Sequence, residues 1–168
     1  MYKPYPSGSQ MPDEPQRPAA PAPLLMAVRL MYVGAALSVV ELIVGLATLG
    51  SLKAAILKDH PGYTNAQLND AKASLLAATV LFGVVAVGLW IWMARANGAG
   101  KGWARIVASI LFVLGTLDLF GEGAQAHAAV SLVFGLLVWI AGLGAIILIW
   151  RGDSRRYFAA VSGKDAPG

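Results

Sequence analysis

The stretch AVSLVFGLLVWIAGLGAIILIW, residues 129–150, holds no charged side chain. As a helix it would be about 33 Å long, enough to cross the ~30 Å hydrocarbon core of a bilayer. A backbone in lipid must satisfy its own hydrogen bonds, so the run reads as a membrane-spanning helix. Three further apolar runs precede it, at about 29–50, 73–94 and 103–120. The expected fold is all-α: a polytopic membrane protein with a four-transmembrane-helix bundle over 24–150.

Composition points the same way. Of 168 residues, 57% are hydrophobic and 13% charged, against about 45–50% and about 25% in soluble domains. The mean hydropathy is +0.63. With no cysteine, the chain has no disulfide framework, thiolate metal site or thiol redox chemistry. Residues 1–23 carry seven of the nine prolines and read as a disordered Pro-rich cytoplasmic tail. Residues 151–168 read as a basic cytoplasmic tail. The first apolar run is too long for a signal-peptide core and lacks an A-x-A site, so it is expected to remain in the mature protein.

The 103–120 run is the shortest, and it contains Arg105 and Asp118. Its flanks decide its status. If all four runs cross, ten of the 13 Lys and Arg residues fall on one side and only Lys53, Lys58 and Lys72 on the other. The positive-inside rule then puts both termini in the cytoplasm of a cell with a plasma (inner) membrane. This accounts for the net charge of +4 without nucleic acid. Trp90, Trp92, Trp103 and Trp150 fall near the same ends, where an interfacial aromatic belt belongs.

The first outer connection carries helix signals. Thr64-Asn65-Ala66-Gln67 fits a capping box, so the second helix should begin near Asn65, two turns before the membrane. Residues 51–58 are good helix formers, stopped by His60-Pro61-Gly62. Leu52 and Ile56 would pack on Leu68 and Ala71. Gly98-Ala99-Gly100 reads as a tight turn rather than a phosphate cradle.

Inside the spans, alternating steps of four and three collect small and polar residues on one face. Run one gives Gly34, Ser38, Glu41, Gly45 and Thr48. The third run gives Ala104, Ala108, Leu111, Gly115, Asp118 and Glu122. The fourth gives Ser131, Gly135, Val138, Gly142 and Ala145. Such a seam lets membrane helices approach closely, with Gly34, Gly45, Gly115, Gly135 and Gly142 as its packing positions. Glu41 therefore belongs against protein rather than lipid. Ten Leu, Ile or Val residues between Leu30 and Leu49 favour insertion by roughly 3–6 kcal/mol against about 3 for a central acid, so the helix still inserts. By depth, Thr116 and Asp118 are the polar neighbours expected to reach Glu41 from the third helix. Two roles follow for Glu41: a neutral, hydrogen-bonded packing group, or an acid that handles a proton or cation. His60, His127, Glu122, Asp59 and Asp70 share the outer side, but no ligand spacing makes a metal site of them. No metal or other cofactor is expected.

The segments RLMYVGAALS (29–38), NGAGKGWARIVASILF (97–112) and WRGDSRRYF (150–158) resemble small four-span integral membrane proteins of actinobacteria that have a Pro-rich N-terminal tail. The resemblance covers most of 24–158 and implies no activity. Glu41 is also similar in placement to the helix-one glutamate of the small multidrug resistance transporters. This chain is longer, has a strong charge bias and lacks that family's aromatic pattern around the acid.

The leading functional expectation is a non-enzymatic accessory or scaffold subunit. The alternative is a small proton-coupled transporter or channel using Glu41. Expected partners are the lipid bilayer and other membrane helices, from another protein or from a second copy of the chain.

Overall fold

The computed structural model describes residues 18–47, 56–58, 60–120 and 129–162. They include, with no strand among them, the helices α1 (Ala22–Ala47), α2 (Asn65–Gly98), α3 (Gly102–Phe120), α4 (Ala129–Ile149) and α5 (Gly152–Val161). The first four are long and apolar enough to cross a membrane. Residues 1–17 of the Pro-rich segment lie outside the described residues, as do Thr48, Leu52, Asp59, Glu122, His127 and the Ser131 side chain.

Helix α1 starts at Ala22, earlier than the apolar run alone implied, and takes in the last two residues of the segment read as tail. Pro23 sits in its first turn, where a missing N–H costs no helical hydrogen bond. Leu24 and Leu25 donate to the Pro21 carbonyl at 3.0 and 3.1 Å.

Helix α2 begins where the capping box placed it. The Gln67 N–H donates to Thr64 Oγ1 at 3.3 Å, and the Thr64 N–H donates to Gln67 Oε1 at 2.9 Å. Upstream, residues 56–58 are helical and the His60 N–H closes on the Ile56 carbonyl at 2.8 Å. Pro61 and Gly62 then turn the chain, with the His60 and Tyr63 rings stacked at 4.6 Å. With 34 residues, α2 is about 51 Å long, well beyond the hydrocarbon thickness. Its N-terminal turns, which carry Asn65, Asp70 and Lys72, therefore extend beyond its apolar stretch.

The α2–α3 connection is a tight turn. Gly100 has φ +72°, a conformation L side chains rarely adopt. The Lys101 N–H reaches back to the Ala96 carbonyl at 3.2 Å, closing the helix end in the manner of a Schellman cap.

Helix α1 is the centre of the bundle, packed on α2 and on α4. Helix α3 packs chiefly on α4 and less on α2. The tightest packing is at the end that carries α5, where Leu24, Ala27, Met93, Ala104, Ile149 and Phe158 are buried together. Ile106, Ile110, Val113, Leu114 and Leu117 of α3 are each more than half exposed, a face suited to lipid.

Residues 151–162, read as part of a tail, hold the docked helix α5. Phe158 is 1% exposed, and the buried Ser154 donates its hydroxyl to the Leu148 carbonyl at 2.9 Å. The reason is local: Ser154 and Phe158, one turn apart, share the single face that meets the bundle, while Arg155 and Arg156 stay exposed.

Candidate functional site: an acid-lined cavity between the helices

Glycine decides how the helices meet. A Cβ on Gly34 would stand 2.9 Å from ring carbons of Trp90, and one on Gly142 would stand 3.1 Å from Phe112 and 3.4 Å from Trp90. One on Gly135 would stand 3.0 Å from Leu119 Cδ1, and one on Gly45 3.5 Å from Thr79 Cγ2. Gly115 differs, since nothing lies within 4 Å of its Cβ position. Two contacts of the same kind escaped the seam pattern: Gly83 against Leu42, at 2.7 Å, and Gly144 against Leu30, at 2.9 Å.

Trp90 was placed in the interfacial belt by its position near a helix end. Instead its indole enters the bundle between α1 and α4, in the space that Gly34 and Gly142 leave. Trp92, Trp103 and Trp150 remain exposed.

Aromatic contacts then fix α3 on α4. The Phe112 and Trp139 rings lie 5.7 Å apart, and Phe120 meets Trp139 edge-on at 5.5 Å. Trp139 Nε1 donates to Thr116 Oγ1 at 2.9 Å, and that hydroxyl donates to the Phe112 carbonyl at 2.7 Å. Thr116, expected as a neighbour of Glu41, is thus engaged with α4. Because Trp139 and Phe112 hold α3 to α4, α3 does not close directly on α1.

The space left between the four helices is a cavity of about 380 Å³, inside the range of about 300–1,000 Å³ for small-molecule sites. Its walls are largely apolar, with Met31, Trp90, Met93, Phe112, Trp139 and Ile146. Its acidic groups are Glu41 from α1 and Asp118 from α3, with Ser38 beside them. Gly115, Gly135 and Gly142 also face it, while Gly34 and Gly45 are not among its lining residues. Glu41 is half-buried, Ser38 is buried and Asp118 is exposed. Glu41 and Asp118, from α1 and α3, thus line one shared space.

Acidic side chains set among apolar walls within a helix bundle are candidates for holding a proton or a small cation. Of the glycines that face it, Gly115 leaves open space, while Gly135 and Gly142 are packed against Leu119 and Phe112. Among the described residues, no group of three or more metal-ligating side chains is present.

A polar group unforeseen in the sequence lies nearer the α5 end. Asn97 is 0% exposed. Its Nδ2 donates to the Met93 carbonyl at 2.9 Å, while its Oδ1 has no hydrogen-bond partner among the described residues. The only sequence signal was its place just before the Gly98–Gly100 turn.

These features define a class: an all-helical protein with four helices able to cross a membrane, built around an acid-lined cavity. Comparison with protein-family models, with curated proteins and with solved structures found no match.

Proposed function

We propose that the protein is a non-enzymatic, multi-pass plasma-membrane protein whose bundle cavity accepts a proton or small cation, acting as a small proton-coupled transporter or channel. The observation that carries this reading is that Glu41 and Asp118, from different helices, line the same otherwise apolar cavity. Ionisable groups within membrane spans are expensive, and a shared guest gives them a use. Both termini are assigned to the cytoplasm on the ten-to-three division of Lys and Arg. An impermeant thiol reagent added to intact cells should therefore reach a cysteine placed at Tyr63 and not one at Ser162. The reverse pattern would invert the topology.

The test of function is proton flux. In proteoliposomes with an entrapped pH-sensitive dye, the parent protein should collapse an imposed pH gradient faster than empty vesicles. Glu41→Gln and Asp118→Asn should each bring the rate back towards that of empty vesicles. A parent no faster than empty vesicles, or variants as fast as the parent, would reject the reading.

An accessory-subunit role is the second reading. It would use the same space, which is open on the α3 side, where Gly115 has no neighbour at its Cβ position and Asp118 is exposed. A helix from another subunit would fit that face. A membrane protein that co-purifies in mild detergent with the parent, but not with Gly115→Leu, would support this role.

A further inference from the structure

One end of the bundle gathers cations and tryptophans. Helix α5 and its N-cap present Arg151, Arg155 and Arg156, and Arg29 of α1, Arg95 of α2 and Lys101 of the α2–α3 turn add to them; all six are exposed. That they share one end follows from the packing there. Gly100 meets Tyr157 and Val161, Gly102 meets Ser162, and Gly98 meets Val28. Among the described residues the one acid in these turns is Asp153. The exposed indoles of Trp92 and Trp103 lie beside each other at 5.4 Å, and Trp150 is 43% exposed.

Arg105 ties the parts together. Its guanidinium carbon lies 5.2 Å from the Trp150 ring centre and 5.6 Å from that of Phe158. This stacking holds a cation beside the α4–α5 junction. Its Nε is buried and makes no hydrogen bond among the described residues, so the rings rather than a carboxylate position it.

Amphipathic tryptophans settle at the headgroup level of a bilayer, and clustered cations next to a span attract anionic lipid. We propose that this end is a binding surface for anionic phospholipid headgroups, with α5 as its main element. The exposed arginines of α5 supply the charge, the tryptophans set the depth, and Phe158 fixes α5 to the bundle. This goes beyond the charge bias that orients the chain during insertion, because it assigns the folded protein a preferred lipid. It does not depend on the role given to the cavity.

Native mass spectrometry of the full chain in detergent, with phosphatidylglycerol or phosphatidylcholine added, tests the proposal. The parent should retain phosphatidylglycerol at least about a hundredfold better than phosphatidylcholine at low salt. Each cation near a charged lipid surface contributes roughly fivefold, so the triple variant Arg151→Gln/Arg155→Gln/Arg156→Gln should lose on the order of a hundredfold. Lys58→Gln/Lys72→Gln, at the opposite end, should keep the full preference. The parent's preference should also fall as salt is raised, a readout that needs no variant to fold. Equal retention of the two lipids by the parent would overturn the proposal. So would a preference that ignores salt, or a loss as large in the Lys58/Lys72 variant as in the triple variant. Displacement of phosphatidylglycerol by an equimolar oligonucleotide would overturn it too, in favour of a nucleic-acid surface.

Discussion

Phe158→Ala should release α5 from the bundle. Phe158 is the largest fully buried side chain among the described residues, and truncating a buried Phe to Ala typically costs about 3–5 kcal/mol. Helix α5 has ten residues, too few to hold its conformation once undocked. The amides of 152–161 should then exchange with solvent at near-coil rates while those of α1 to α4 stay protected. The Arg105 guanidinium would lose one of its two rings, and the cations of α5 would lose their fixed place at the bundle end. Unchanged protection across α5 would mean that Phe158 does not hold it.

Gly34→Ala is expected to destabilise the bundle by roughly 1–3 kcal/mol, as overpacking does. The new methyl would stand 2.9 Å from the Trp90 ring. That ring is already held between α1 and α4, with its far edge close to Gly142, so it cannot move aside cheaply. Gly115→Ala should act in the opposite sense. Its Cβ enters open space, and alanine is favoured over glycine inside a helix by about 1 kcal/mol. Gly83→Ala falls between them, because the atom it meets is the end of a flexible Leu42 side chain. Unfolding in mixed micelles with a denaturing detergent would rank the three. Equal effects at Gly34 and Gly115 would show that the glycines act only through helix propensity, not through the contacts described.

The contrast between Gly34 and Gly115 also marks how far the sequence could be read. A stripe at steps of four and three names the face of a helix that meets protein, because lipid-facing and protein-facing positions differ in size and polarity. It does not name the neighbour. Gly34, Gly135 and Gly142 have close neighbours at their Cβ positions, but the stripe could not say that α1 sits between α2 and α4. That depends on where the large side chains insert. Trp90 looked interfacial because its depth was legible and its direction was not. The Thr64 cap, the stop after His60 and the tight turn at Gly100 were legible because each is a local preference of a few adjacent residues. The docking of α5 was hidden for the opposite reason. Its polar composition suits a tail, and one buried phenylalanine outweighs it. For Glu41 and Asp118, the pattern put both on interior faces. The space they share is bounded in part by Phe112 and Trp139, whose mutual contact no stripe of small residues announces.

That shared space is the central claim, and the absence of native cysteine makes it directly testable. In the double variant Glu41→Cys/Asp118→Cys, a bifunctional methanethiosulfonate no longer than the cavity is wide should join the two positions within one chain. The product would appear as a single added linker mass, reversed by reductant. The pair Glu41→Cys/Ile110→Cys is the control, since Ile110 is 54% exposed and on the outer face of α3. It should take two separate monofunctional labels and no cross-link. If both positions of the 41/118 pair accept a monofunctional label but are never joined, Glu41 and Asp118 do not share a cavity, and the proton- or cation-binding site proposed here does not exist.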